Sequence, residues 1–211
     1  MEITSGKEIS AMEKQFRINL INSLTGYKPL NLIGTINDDG ITNLCLVSSV
    51  FHLGSNPPLI GLVMRPQRDN NDTLRNIMMT KQYTLNNVLP EWYDRAHQTS
   101  ASYPRGISEF DLCRFTRKYA GKFKAPFVAE STILVGLQLR EVIEMEINRT
   151  SLVIGEVIHL HLNDDLVGED GFIDPVAAGS MAGAGLDGYY LPGLFERLAY
   201  AKPGIEPHPI K

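Results

Sequence analysis

Cysteine is nearly missing from this chain, with two in 211 residues. Cys45 and Cys113 lie far apart and match no metal or redox spacing, which argues against a cysteine metal centre or a disulfide scaffold. Two reduced thiols are the expectation, with one Cys45–Cys113 bridge as the unsupported alternative. No apolar run approaches the length that spans a bilayer. The opening Met1-Glu2-Ile3-Thr4-Ser5-Gly6-Lys7-Glu8 has no hydrophobic centre of the kind a secretion signal needs. Together these predict a cytoplasmic protein without a membrane partner. Neither sign of charge gathers into a long block, and 20 basic against 24 acidic residues give a net charge of -4. That balance repels a polyphosphate backbone, so no nucleic-acid partner is expected. No Gly-x-Ser-x-Gly or cysteine-centred nucleophile signature occurs, and His52, His97 and His208 stand alone, which disfavours hydrolytic chemistry.

What is present is ordinary for a folded domain: 43% hydrophobic and 21% charged residues, in a length that fits one compact domain over 1–211. Ser10-Ala11-Met12-Glu13 has the form of a capping box and predicts a short opening helix. Leu30–Ile36 and Ile41–Val47 are β-type runs joined by Asn37-Asp38-Asp39-Gly40, a hairpin signal. Leu59–Met64 and Tyr83–Val88 read as further strands, with a helix from Thr73 to about Thr80 between them, capped by Asp72 or Asn71. The stretch at about 89–124 is irregular, with helical pieces, and reads as an insertion over the sheet. Ser131–Val142 and Ser151–Leu162 are long β-rich segments, and the Gly-, Ala- and Pro-rich tail from about 174 reads as a surface arm. Six strands with few helices suggest a closed antiparallel barrel with helical additions.

Several motifs carry chemistry. Arg65, Arg68 and Thr73 at a helix start would give a phosphate positive charge, a hydroxyl and free backbone N–H groups. A solvated loop whose arginines pair with Asp69 and Asp72 explains the same spacing. Asn43, Ser48 and Ser49 suit the polar edge of a flat heteroaromatic ring held against a strand, while an ordinary Ser-Ser turn is the plainer account. Gly183-Ala184-Gly185-Leu186-Asp187-Gly188 matches the dinucleotide fingerprint by letter but lacks the strand before it and the helix after it, and is set aside as a glycine loop. His159 and His161 alternate on one face of a strand, half of a metal site that no neighbouring carboxylate or cysteine completes. Arg114, Arg117, Lys118, Lys122 and Lys124 form a basic run that reads as a solvated face.

Taken in order, Asn31-Leu32-Ile33-Gly34-Thr35, Thr42-Asn43-Leu44, Ser48-Ser49-Val50, His52-Leu53-Gly54-Ser55-Asn56-Pro57-Pro58-Leu59 and Arg65-Pro66 resemble the flavin reductase-like family. The likeness continues through Tyr83-Thr84-Leu85-Asn86, His97-Gln98-Thr99-Ser100-Ala101, Ser108-Glu109-Phe110-Asp111, Ala125-Pro126-Phe127-Val128 and Leu186-Asp187-Gly188-Tyr189. It lies near the flavoredoxins and the reductase components of two-component monooxygenases. The resemblance implies a mainly β, antiparallel Greek-key split β-barrel with short helical additions. It also implies a homodimer holding FMN, reduced by NADH or NADPH, with a monooxygenase or other electron acceptor as partner. Carried over by position, Asn43, Leu44, Ser48, Ser49 and Val50 would face the isoalloxazine ring and ribityl chain, and Arg65, Arg68, Asn71 and Thr73 would take the phosphate. Many relatives carry Lys-Asp-Thr where this chain has Asn71-Asp72-Thr73, and Arg68 is placed to supply the missing charge. No acid or base is implied, because hydride passes directly between stacked rings. The alternatives are an FMN-binding electron carrier without its own NAD(P)H activity, and a binding module on the same fold without the cofactor.

Overall fold

Two strands separated in sequence by a two-residue corner lie at opposite edges of one sheet, and this rolls the sheet up. In the computed structural model, which describes residues 5–66 and 72–210, the strands are β1 Lys28–Pro29, β2 Asn31–Ile36, β3 Thr42–Val47, β4 Val50–Ser55, β5 Pro58–Met64 and β6 Gln82–Asn87. They continue with β7 Arg117–Lys118, β8 Phe127–Val128, β9 Ile133–Met145, β10 Thr150–Leu162, β11 Ala182–Ala184 and β12 Gly188–Tyr190. The helices are α1 Gly6–Ala11, α2 Lys14–Ser23, α3 Asp72–Thr80, α4 Tyr93–Gln98 and α5 Glu109–Leu112.

The main sheet runs β3-β2-β6-β9-β10-β5-β4, seven strands with β3 and β4 at its edges. Laid flat, six strand spacings would part those edges by about 29 Å, whereas the corner Ser48-Ser49 spans at most about 11 Å. The sheet must therefore curl. Among the described residues no ladder joins β3 to β4, so the curl stays split, where hairpin counting alone had suggested a closed barrel. Strands β5, β6, β9 and β10 lie in the spatial order β6-β9-β10-β5, a Greek key.

Side-chain alternation along the strands divides the core. Ile33, Leu62, Tyr83, Leu85, Leu137 and Val153 fill the interior with Leu74 and Ile77 of α3. The opposite pleat of β2, with Leu32, joins Leu30, Leu44 and Val88 against Trp92, Ala96, Phe110 and Phe115 of the 89–124 insertion. Gly34 is required where β2 passes under the segment just after that insertion, since a Cβ there would stand 2.2 Å from the Pro126 carbonyl oxygen. Buried Asn86 ties the layers together: its Nδ2 donates to the Leu32 carbonyl at 3.0 Å, and its Oδ1 accepts from the Val128 amide at 3.0 Å.

Three expectations are corrected. The opening helix starts earlier, because Ser5, not Ser10, is its N-cap: Ser5 Oγ accepts from Glu8 N at 3.3 Å, while Ser10 sits inside α1 and donates to the Gly6 carbonyl. The chain breaks at Met12 and restarts as α2 with Glu13 as cap. Val50–Ser55, outside the six expected strands, is a seventh main-sheet strand antiparallel to β5. The tail is not all surface arm: Ala178, Met181 and Ala182 are buried, and β11 pairs with both β1 and β12 in a small sheet.

Candidate functional site

A cavity of about 580 Å³ opens along the outer edge of β3. An edge strand presents unpaired N–H groups, and here side chains of the insertion occupy two of them. Leu44 N–H donates to Glu109 Oε2 at 3.0 Å, and Leu46 N–H donates to Thr99 Oγ1 at 3.0 Å. Thr99, the C-cap of α4, in turn donates to the Ala96 carbonyl at 2.7 Å. Glu109 opens α5, so two short helices anchor the strand that forms the cavity floor.

The corner Ser48-Ser49 closes one end, where Ser49 Oγ donates to the Val63 carbonyl at 2.7 Å. Exposed Arg65, at the end of β5, and the start of α3 stand beside it. Thr73, in the first turn of α3, accepts at Oγ1 from Asn43 Nδ2 at 2.9 Å, so the helix start and the strand are fixed to each other. Asp72 is paired with Arg75 and, at 3.6 Å, with Arg105. The facing wall is Asn22, Lys28, the β11–β12 hairpin with Gly183, Gly185 and Gly188, and Tyr189.

Burial pushes the Cys45 thiol up to about 11, and the Glu109 charge acts in the same direction, so the cavity holds a thiol and not a thiolate nucleophile. Burial raises the Glu109 carboxyl above its usual range, opposed by the Leu44 amide and aided by the Asp72 charge. Tyr189 is raised by burial and by Asp187 and Tyr93, and its hydroxyl lies 2.6 Å from His97 Nδ1.

Of the residues singled out from sequence, Asn43, Leu44, Ser48, Ser49, Arg65 and Thr73 come together around this cavity. Leu44 does so through its backbone, because its side chain is wholly buried in the core. Val50 is not among the lining residues; its side chain packs on the barrel interior. Arg68 and Asn71 lie outside the described residues. Glu109, Thr99 and Tyr189 went unassigned from sequence, although each sits in a segment that carried the family likeness. The Gly183–Gly188 segment is a β-hairpin turn, with Gly185 at φ +65°, and no helix follows it among the described residues, consistent with setting the dinucleotide fingerprint aside. His161 contacts Lys118 and His159 packs on the Phe123 ring. Among the described residues no group of three or more His, Cys, Asp or Glu could hold a metal ion. Arg117 of the basic run is bound by Asp111, Thr42 and Ser108. No helix among the described residues is long and apolar enough to cross a membrane.

A rolled Greek-key sheet, split between β3 and β4 and carrying one mixed polar and apolar cavity at the split, defines a ligand-binding split barrel. The flavin reductase like domain model matches residues 27–179, and the chain belongs to that family. A split barrel domain protein of Shewanella frigidimarina superposes with a TM-score of 0.91 at 45% identity, covering 95% of this chain and 100% of that one. Nitrilotriacetate monooxygenase component B of Bacillus cereus follows at 0.82 and 21% identity, over 94% and 98%. Flavoredoxin of Desulfovibrio vulgaris matches at 0.71 and 21% identity, over 97% and 98%. The last two show the shared fold. Family membership supports an oxidoreductase role on a flavin-binding fold.

Proposed function

We propose that the protein is an FMN-binding oxidoreductase whose flavin is reduced by NADH or NADPH. The observation that carries this reading is the convergence of Asn43, Ser48, Ser49, Arg65 and the start of α3 on one cavity at the barrel split. The residues fit the group. The volume lies within the roughly 300–1,000 Å³ usual for small-molecule sites. Three glycines on one wall let backbone approach a flat ring. Arg65 and the positive end of α3 suit a phosphate, with Arg68 and Asn71, which precede α3 in sequence, as further candidates.

When bound, the flavin would supply the redox chemistry, accepting a hydride from a nicotinamide. The protein's share is to bind, orient and shield. Asn43 and Thr73 lock the strand to the helix start, so the ring-facing and phosphate-facing parts keep their spacing. Thr99 and Glu109 hold the edge of β3 in place as the cavity floor. Ser48 and Ser49 line the cavity at the corner and would meet the ligand there, with the hydroxyl of Ser49 committed to Val63. Cys45 stays protonated and does not compete as a nucleophile. A homodimer is part of the reading, supported by exposed apolar side chains on the C-terminal arm, Phe195 and Tyr200 among them. A cytoplasmic setting and a monooxygenase or other electron acceptor complete it.

Adding FMN to flavin-free protein and following quenching of its fluorescence tests the binding step. One saturable site per chain, weakened by Arg65→Ala, is expected. Unquenched FMN at high protein concentration would sink the reading.

A further inference from the structure

We propose that Glu109 opposes Arg65 across this cavity, weakening the binding of a phosphorylated flavin more than that of an unphosphorylated one while it anchors strand β3. The inference rests on the flavin reading above. Among the described residues, two carboxylates line the cavity, Asp72 and Glu109. Asp72 is matched by Arg75 and Arg105. Glu109 is in none of the ion pairs among the described residues; its Oε2 is held by the neutral Leu44 amide at 3.0 Å. Its carboxylate lies against the cavity-lining strand at Leu44, next to Cys45, and it raises the pKa of that thiol where Arg65 acts in the opposite sense. A partly buried charge is screened less than an exposed one, so an anionic ligand in this cavity feels Glu109 as a standing repulsion.

The anchoring role and the charge are separable. A glutamine keeps a carbonyl oxygen for the Leu44 amide and loses the charge. Thr99→Val loosens the same strand at Leu46 and alters no charge.

The probes are FMN, which carries a phosphate, and riboflavin, which does not. Their Kd values are measured by fluorescence quenching at pH 8, above the carboxylate range, in low and high salt. Glu109→Gln is expected to tighten FMN about tenfold, or 1.4 kcal/mol, and riboflavin less than about twofold, with the difference shrinking in high salt. Glu109→Asp retains the charge and leaves the FMN-to-riboflavin ratio near that of the unmodified protein. Thr99→Val moves both Kd values together. An unchanged ratio in Glu109→Gln, with both flavins still bound, overturns this inference alone. An equal ratio shift in Thr99→Val overturns it too, because it would trace the effect to strand position. Failure of the unmodified protein to bind either flavin overturns the flavin reading and this inference with it.

Discussion

Replacing Thr99 with valine should destabilise the protein by about 1–3 kcal/mol, the cost of stranding a buried donor. The change keeps the β-branched shape and removes one oxygen. That oxygen accepts from the Leu46 amide at 3.0 Å, and Thr99 is only 3% exposed, so water has poor access to replace it. The Ala96 carbonyl loses the hydroxyl but keeps the Thr99 amide at 3.1 Å, so the loss concentrates on Leu46. For a chain of this size, 2 kcal/mol corresponds to a fall of about 4–8 °C in Tm. Urea unfolding of the flavin-free protein gives the free energy, and amide hydrogen exchange reports whether Leu46 is the site. Thr99→Ser, which retains the hydroxyl, should recover most of the loss. A loss below about 0.5 kcal/mol with Leu46 exchange unchanged would refute the view that insertion side chains hold the edge of β3.

Tyr83 is fully buried and its hydroxyl finds no hydrogen-bond partner among the described residues, so Tyr83→Phe should leave stability unchanged or raise it by about 1 kcal/mol in chemical denaturation; a clear loss would show that the hydroxyl is bonded after all. At Gly155 a Cβ would stand 2.2 Å from that hydroxyl and 3.0 Å from Leu137 Cδ2; Gly155→Ala should cost about 1–3 kcal/mol by overpacking, and combining it with Tyr83→Phe should recover part of this. Asp111 is held below its usual pKa mainly by its hydrogen bonds to Arg117. A lowered folded-state pKa adds stability above the unfolded value near 3.8 that is lost as pH falls through the folded pKa. Because Asp111 is largely exposed, the term is within about 1 kcal/mol, and the gap in Tm between the unmodified protein and Asp111→Asn should close as pH is lowered from 7 to below 4.

Much of the barrel was legible because its signals are local. Asp39-Gly40 marks the β2–β3 turn, where Gly40 takes φ +80°, and the apolar periodicity of β9 and β10 survives register shifts in their pairing. Strand β4 was not, since its residues are mostly exposed and carry no in-out alternation; its place is set by pairing with β5. The capping box misled because Ser5-Gly6-Lys7-Glu8 and Ser10-Ala11-Met12-Glu13 share one pattern, and only the surrounding backbone decides between them. At the site, Ser48, Ser49 and Arg65 were readable as neighbours in sequence or across a hairpin. Glu109 meets Leu44 across 65 residues and Thr99 meets Leu46 across 53. No spacing rule reaches that far, and only the folded insertion brings them together.

The central claim is tested most directly by anaerobic titration of the FMN-loaded protein with NADH and then NADPH, following visible flavin absorbance. The account predicts rapid bleaching by one of the two, at one equivalent per flavin. Persistent yellow colour with both, while dithionite still bleaches the sample, would contradict it and leave an electron carrier that another protein must reduce.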